Sequence, residues 1–235
     1  MPLDLDHTLA GEAVQLLSER ALYWPARRTL FVTDLHWGKT ATFRAHAVPL
    51  PGGTTAADLA RLDAALLRTG ARQLLILGDL FHAREGRTVN TLTALAAWRA
   101  RWPLLSITLV RGNHDQHAGD PPDNLAITCV DAPHQLGPFV LHHHPPEGAD
   151  PAGYWLAGHL HPVALLSGVG RQRLRLPCFA LGGEGGLLPA FGSFTGGAPV
   201  SNDPRFRLWV VADDEVIPIA PAGSRPGPVD EVPRG

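Results

Sequence analysis

Short apolar runs punctuate the chain, and between them apolar residues recur with helical period. Leu22 to Trp24 and Thr29 to Thr33 are two such runs, joined by a turn at Pro25. Runs of this length bounded by turn residues predict buried strands. Gln73 to Leu77, Ile107 to Val110, Phe139 to Leu141 and Tyr154 to Ala157 predict four more. Residues 39–50 read as loop or short helix, closed by Pro49 and Pro51. Leu59, Leu62, Leu66 and Leu67 then recur at helical spacing, which predicts a helix from Thr54 or Thr55 to about Arg68, stopped by Gly70. Leu92, Leu95 and Trp98 predict a second helix over Thr91 to Arg101, ended by Pro103. Strands and helices that alternate in this way predict α/β layering. Beyond residue 160 the pattern turns mostly β, with Gly- and Pro-rich turns, and no internal repeat is visible. Residues 222–235, rich in Pro, Gly and charge, read as a loose tail after a single domain over 1–221.

Composition narrows the classes. A chain of 235 residues with 45% hydrophobic content can bury a sizeable core in one domain. The net charge of −2 supplies no global basic field for nucleic acid. Lys39 is the only lysine; every other basic side chain is arginine. Cys129 and Cys178 form neither a disulfide framework nor a zinc-type pair, and read as buried thiols in a reducing compartment. The first residues carry early acids rather than a basic-then-apolar leader, and no apolar run reaches membrane-spanning length. A soluble cytoplasmic protein is expected.

Five segments hold most of the chemistry: Asp34-Leu-His36, Gly78-Asp79, Gly112-Asn113-His114-Asp115, the run His142-His143-His144, and Gly158-His159-Leu-His161. Four of them directly follow a predicted strand. Imidazoles and carboxylates suit divalent cations. Asp34 and His36, two apart at a strand end, are expected on one face by the period of two, and His159 and His161 repeat the arrangement. Asp79 leaves its strand through a glycine, and Asn113 can offer a neutral amide oxygen. Each element alone is common, but all five in order at strand exits predict a two-metal hydrolase. Two cations about 3.5–4 Å apart can clamp a phosphoryl group and generate a hydroxide between them. With only Asp34 and Asp79 to offset the cations, the site stays positive and attracts phosphate. No Gly-x-Ser-x-Gly or Cys/His signature suggests a protein nucleophile.

The set resembles the calcineurin-like metallophosphoesterase superfamily, whose signature is D-x-H, G-D, G-N-H-[DE], H and G-H-x-H, over about residues 30 to 162. Asp34-Leu-His36-Trp-Gly38-Lys39, Gly78-Asp79-Leu-Phe-His82-Ala-Arg84, Gly158-His159-Leu-His161-Pro162, Leu176-Pro-Cys178-Phe179 and the Leu188 to Gly197 segment are similar to its DNA ligase-associated PdeM branch of DNA damage response endonucleases. The resemblance implies an α/β (α+β) fold, a two-layer β-sandwich flanked by helices, with the metals at strand C-terminal ends. It implies one metal on Asp34, His36 and His161, a second on Asn113, His159 and one histidine of the 142–144 run, and Asp79 as the bridge. Aligning Pro145 with the family's proline singles out His143; His142 and His144 stay open, because one slip in register exchanges them. His114 would sit over the phosphate to stabilise the transition state or protonate the leaving oxygen, and Asp115 would orient it through a hydrogen bond.

The implied activity is metal-dependent phosphodiester hydrolysis, by a DNA endonuclease of repair, with two divalent ions. Manganese is the expected metal, with iron, zinc or magnesium as alternatives. A DNA ligase and a helicase are the partners this branch suggests; a homodimer is an open alternative to a monomer. Two rivals are a small-molecule nucleotide or nucleotide-sugar-lipid pyrophosphohydrolase and a metal-binding scaffold for repair partners. His82, Arg84 and Lys39 follow the metal segments and are candidates for phosphate contact; the plain alternative is a solvated loop. Arg111 reads as a structural ion pair. Trp37, inside the first metal segment, is the tryptophan to test for base stacking. The Phe191 to Gly197 stretch could form a loop near the site, a subunit contact or simple turns.

Overall fold

The computed structural model describes residues 2–48, 53–167, 173–193, 195–200 and 203–219, so the expected tail lies outside the described residues. Seven strands form a first sheet in chain order: β1 (Leu5–Leu9), β2 (Glu12–Leu17), β3 (Ala21–Trp24), β4 (Thr29–Val32), β5 (Gln73–Leu77), β6 (Ser106–Val110) and β7 (Ile127–Val130). Pairing is antiparallel from β1 to β4 and parallel from β4 to β7. Parallel neighbours need crossovers. These carry α1 (Lys39–Ala45) and α2 (Thr54–Thr69), then α3 (Val89–Arg101), then the short α4 (Asn113–Ala118).

The second sheet holds β8 (His134–Leu136), β9 (Phe139–Leu141), β10 (Tyr154–Ala157), β11 (Val163–Ser167), β12 (Arg173–Leu181), β13 (Gly185–Leu187), β14 (Arg207–Ala212) and β15 (Glu215–Ile219). Its order is β15-β14-β12-β13-β10-β9-β8, with β11 paired to β12.

The period of two sorts each strand's residues between two cores. Leu22, Phe31, Leu75 and Leu77 pack against Phe139, Leu156, Phe179 and Leu181 between the sheets. Leu30, Val32, Leu74, Ile76, Ile107 and Leu109 point the other way, against Leu59, Leu62 and Leu66 of α2 and Leu95 and Trp98 of α3. The sandwich is therefore as expected, with α2 and α3 on the outer face of the first sheet. On the second sheet, β11 and the segment around Val200 cover the outer face.

Helix ends follow local chemistry. Gly70 closes α2 in a left-handed conformation (φ 63°), returning its amide to the Leu66 carbonyl. Helix α3 begins two residues earlier than expected, because Thr88 caps it and accepts from the Thr91 amide at 3.2 Å. Leu67, expected on the buried face of α2, is 73% exposed.

Candidate metal centre

Strand β4 ends at Val32, so Asp34 and His36 are not strand residues. Their backbones are left-handed, at φ 52° and 46°, and so are those of Asp79 (54°), His159 (66°) and His161 (47°). Non-glycine residues adopt this region at a cost of about 1–2 kcal/mol each. Asp34 and His36 do converge, but by left-handed turns rather than by extended alternation. Backbone bonds zip the exits together: Asp34 donates to the Gly78 carbonyl at 3.2 Å, His36 to Asp79 at 2.9 Å and Trp37 to Leu80 at 2.9 Å. From the second sheet, Gly158 donates to His143 at 3.1 Å. Gly192 donates to the Asp34 carbonyl at 3.0 Å and Phe191 to the Thr33 carbonyl at 2.8 Å, so the start of the 191–197 stretch packs on the Asp34 loop.

The glycines before the motifs are there for space. A Cβ at Gly78 would strike the His143 ring, and Gly78 itself has φ +83°. A Cβ on Gly158 would strike the Thr33 hydroxyl and lie 2.6 Å from Asp34 Oδ2.

The side chains meet in two groups. In the first, His161 Nε2 lies 3.3 Å from Asp34 Oδ1 and 3.4 Å from His36 Nε2, and His36 Nε2 is 3.8 Å from Asp79 Oδ2. In the second, His143 Nε2 lies 3.0 Å from Asn113 Oδ1, 3.2 Å from His159 Nδ1 and 3.4 Å from Asp79 Oδ1. Asp79 faces both groups. Two of the remaining ring nitrogens are held from behind: His143 Nδ1 by the Leu77 carbonyl at 3.0 Å and His161 Nδ1 by Gly196 at 3.2 Å, whereas the buried His36 Nδ1 has no hydrogen-bond partner. A carbonyl on one ring nitrogen fixes the tautomer that leaves a lone pair on the other.

The donor set fits divalent cations. Asp34 is fully buried, and its Oδ1 has no hydrogen-bond partner. Its Oδ2 is satisfied by the Thr33 hydroxyl at 2.7 Å and the His159 amide at 3.0 Å. An orphaned carboxylate oxygen facing imidazole nitrogens is a site built for positive charge. Burial lowers His36 to about 3, against the opposing carboxylates, so at pH 7 it is neutral, the form that a cation requires of an imidazole. Burial, with His144 and His143, also lowers His159. Burial would raise Asp79, but the imidazoles, His143 foremost, hold it at about 2. His143 moves up: burial opposes this, but Asp79, Asp34 and the Leu77 carbonyl outweigh it.

A family model described as calcineurin-like phosphoesterase matches residues 27–163, more than half of the chain. The chain belongs to that family. Among solved structures, Pseudomonas putida nuclease MPE is 44% identical, with a TM-score of 0.81, covering 92% of this chain and 100% of that one. The phosphoesterase YfcE from E. coli is 18% identical over 82% of this chain and 98% of its own, with a TM-score of 0.40. Comparison with functionally curated proteins gave no match.

This metallophosphoesterase therefore uses divalent metals in phosphoester hydrolysis, and its Asp and His groups could hold them. Of the histidine run, His143 is buried between the two aspartates, while His142 turns away to Asp150 at 2.8 Å. His144 is not opposite His143, as strand alternation would have it. The strand ends at Leu141, and His144 tilts over His159 with ring centroids 3.9 Å apart. That makes a cluster of His143, His144 and His159, in which both His143 and His144 join His159 where the sequence reading gave it one of the run.

His114 lies at the pocket edge, its Nε2 3.9 Å from Asp79 Oδ2. Its Nδ1 pairs with the His82 carbonyl at 2.6 Å. The expected Asp115 bond to His114 is not made. Asp115 is the third residue of α4, and a carboxylate there turns back to free amides at the helix start. It accepts from Gly112 and Asp79 at 2.8 Å and from Leu80 at 2.9 Å. Asp115 therefore holds the metal loops rather than the imidazole.

His82 stacks between Phe43 (5.7 Å) and His114 (5.1 Å), and burial, then the charges of Lys39 and His114, lower it to about 4. Lys39 is half-buried with its Nζ 6.0 Å over Phe43, and burial lowers it. Arg84 is exposed on the 84–86 turn and bonds to no site residue. Trp37 is 2% exposed against Trp98, so it cannot stack bases. Arg111 makes the expected ion pairs, with Asp120 at 2.7 Å and Asp131 at 3.0 Å. No described helix is long and apolar enough to cross a membrane.

Proposed function

We propose that the protein is a metal-dependent phosphodiesterase that cuts nucleic acid internally, as a DNA endonuclease. The observation that carries this reading is the meeting of two ligand groups on Asp79, with His114 beside them. The 44% identity to a nuclease over its whole length supports a polynucleotide substrate. Asp34, His36 and His161 would hold one ion and Asn113, His143 and His159 the other, with Asp79 shared between them. Bound there, two divalent ions supply an activated water and neutralise charge on the phosphate.

The chain's own residues do the rest. His114 is held through Nδ1 by the His82 carbonyl, which leaves Nε2 toward the pocket. In its imidazolium form it protonates the leaving oxygen. Asp115 holds Asp79 and Leu80 against the Gly112 turn. Lys39 has no carboxylate within ion-pair distance among the described residues, so its charge is available to a phosphate oxygen; His82 stacks on the same Phe43 ring that Lys39 overlies, and the exposed Arg84 is two residues further on. Manganese is the metal, the cytoplasm the compartment, and a repair system with a DNA ligase and a helicase the setting. Support for that setting is the similarity of the Leu176 to Phe179 and Leu188 to Gly197 segments to the ligase-associated branch.

The test is hydrolysis of a chromogenic phosphodiester and its matching monoester by metal-stripped protein, with and without manganese, followed by circular single-stranded and duplex DNA. Metal-restored diester turnover and linearised circles are expected. Monoester-only turnover would make the protein a phosphatase. Diester turnover without DNA cleavage would favour a small nucleotide substrate.

A further inference from the structure

A second electropositive feature lies beside the metal centre. A cavity of about 210 Å³ is bounded by His161, Arg20, Arg175, Thr195 and Gly196. His161 is thus shared: its Nε2 faces the Asp34–His36 group, and its ring forms one wall of the cavity. No acidic residue lines it among the described residues.

Arg20 is the unusual member. It stands in the β2–β3 turn with φ 64°, a left-handed position that glycine or asparagine would take at lower cost. Its side chain is half-buried, yet makes no hydrogen bond or ion pair among the described residues. Nearby Arg61 is balanced, since it pairs with Asp58 at 2.7 Å and donates to the Phe191 carbonyl. Asp58 also accepts from the Ser193 hydroxyl at 2.6 Å, which leaves little of it for Arg20. Burial, then Arg61, lowers Arg20, with Asp58 opposing, so the field at Arg20 is positive on balance. Arg175 faces the same cavity from β12, tied to the Gly197 carbonyl.

We infer that Arg20 and Arg175 form a second phosphate subsite, which binds the backbone phosphate next to the scissile one. The inference rests on the nucleic-acid reading above. Guanidinium forks suit phosphate oxygens, and a half-buried arginine without a counter-ion gains most from one. On this assignment His161 separates the two phosphates, and the cavity sets where a polynucleotide enters relative to the metals.

The experiment uses metal-loaded full-length protein and chromogenic thymidine phosphodiesters, with and without a second phosphate on the free hydroxyl. Both the 3′ and the 5′ isomers are compared. In the unsubstituted protein one isomer's second phosphate should raise kcat/KM about ten- to a hundred-fold, mainly through KM, the range of a charge-assisted contact. In Arg20→Gln and Arg175→Gln that ratio should fall toward one. A fluorescent oligothymidylate supplies a readout free of turnover: each variant should flatten the slope of log affinity against log salt by about 0.7. A ratio near one in the unsubstituted protein, or an unchanged ratio and slope in the variants, would overturn the subsite. Loss of turnover with the ratio retained would place Arg20 in the metal centre instead and also overturn it. Failure to cleave DNA while the second-phosphate ratio holds would sink the nuclease reading and leave the subsite standing.

Discussion

Asp115→Asn separates two roles for this carboxylate. In the structure its Oδ2 accepts from the amides of Asp79 and Gly112, and its Oδ1 from that of Leu80. Asparagine can keep its oxygen on the first pair, but its NH2 then confronts the Leu80 N–H. One charge-assisted bond is lost, worth about 1.5–3 kcal/mol, and a buried amide goes unsatisfied at about 1–3 kcal/mol more. Some of this is returned, because burial raises Asp115 and its charge is costly to keep. A net loss of about 2–3 kcal/mol follows, or about 4–12 °C in Tm for a domain of this size. Because the Asp79 loop loosens, metal affinity should fall about 10–100-fold. Thermal unfolding of stripped and loaded protein, with calorimetric metal titration, measures both. If Asp115→Asn keeps full stability and metal affinity but turns over slowly, the carboxylate acts on His114 and the loop-holding role is wrong.

Three further outcomes follow from the same geometry. His114→Ala should keep both metals, measured by elemental analysis, and lose about 10²–10⁴-fold in turnover; a fall in metal content would make His114 a ligand. Asp79→Asn should weaken both metal sites and abolish turnover, and normal activity with two bound metals would refute its shared position. Metal-free protein should lose stability on acidification: His36 holds near 3 when folded, but takes up a proton near 6.5 when unfolded. Between those values the unfolded state binds the extra proton, a slope of up to about 1.4 kcal/mol per pH unit. Half-buried His82 adds in the same direction down to about 4, while His143, raised, contributes only above 6.5. Urea unfolding of chelated protein that is equally stable at pH 7 and pH 5 would refute this.

The residues of the candidate site stand out in sequence because metal chemistry restricts residue types, and Asp34, Asp79 and the histidines that the five segments supply, His142 apart, are ones the fold brings together. What was hidden is set by long-range packing. Strands β1 and β2 escaped notice because they form a partly exposed hairpin in which polar residues interrupt the apolar run, and their apolar side is defined only by the second sheet. Trp37 could be placed only once Trp98 was known to cover it. Leu67 fits a helical stripe as well as Leu66 does, and only the sheet beneath decides which is buried. Asp115 sits next to the residue it was expected to orient, but the Gly112 amide at the start of α4 and the Asp79 and Leu80 amides at the exit of β5, remote in sequence, compete for it. Arg20, remote in sequence from every motif, carries no local signal at all.

The left-handed Asp and His residues bear on how the candidate centre forms. Five of them cost about 5–10 kcal/mol together. Metal binding need not supply that energy, because backbone bonds already span the loops: Asp34 to Gly78, His36 to Asp79, Trp37 to Leu80, Gly158 to His143, Phe191 to Thr33 and Gly192 to Asp34. Six such bonds return about 3–9 kcal/mol, without the three amides on Asp115. The centre is then pre-organised, with its carboxylates and imidazoles in place before any ion arrives. Amide hydrogen exchange checks this directly. The amides of Asp34, His36, Trp37, Asp79 and Leu80 should be protected within about tenfold equally in stripped and metal-loaded protein, a difference below about 1.4 kcal/mol. Fast exchange of these amides in the stripped protein, with β4 and β5 still protected, would mean that the metal folds the loops and that the left-handed turns are a consequence of binding.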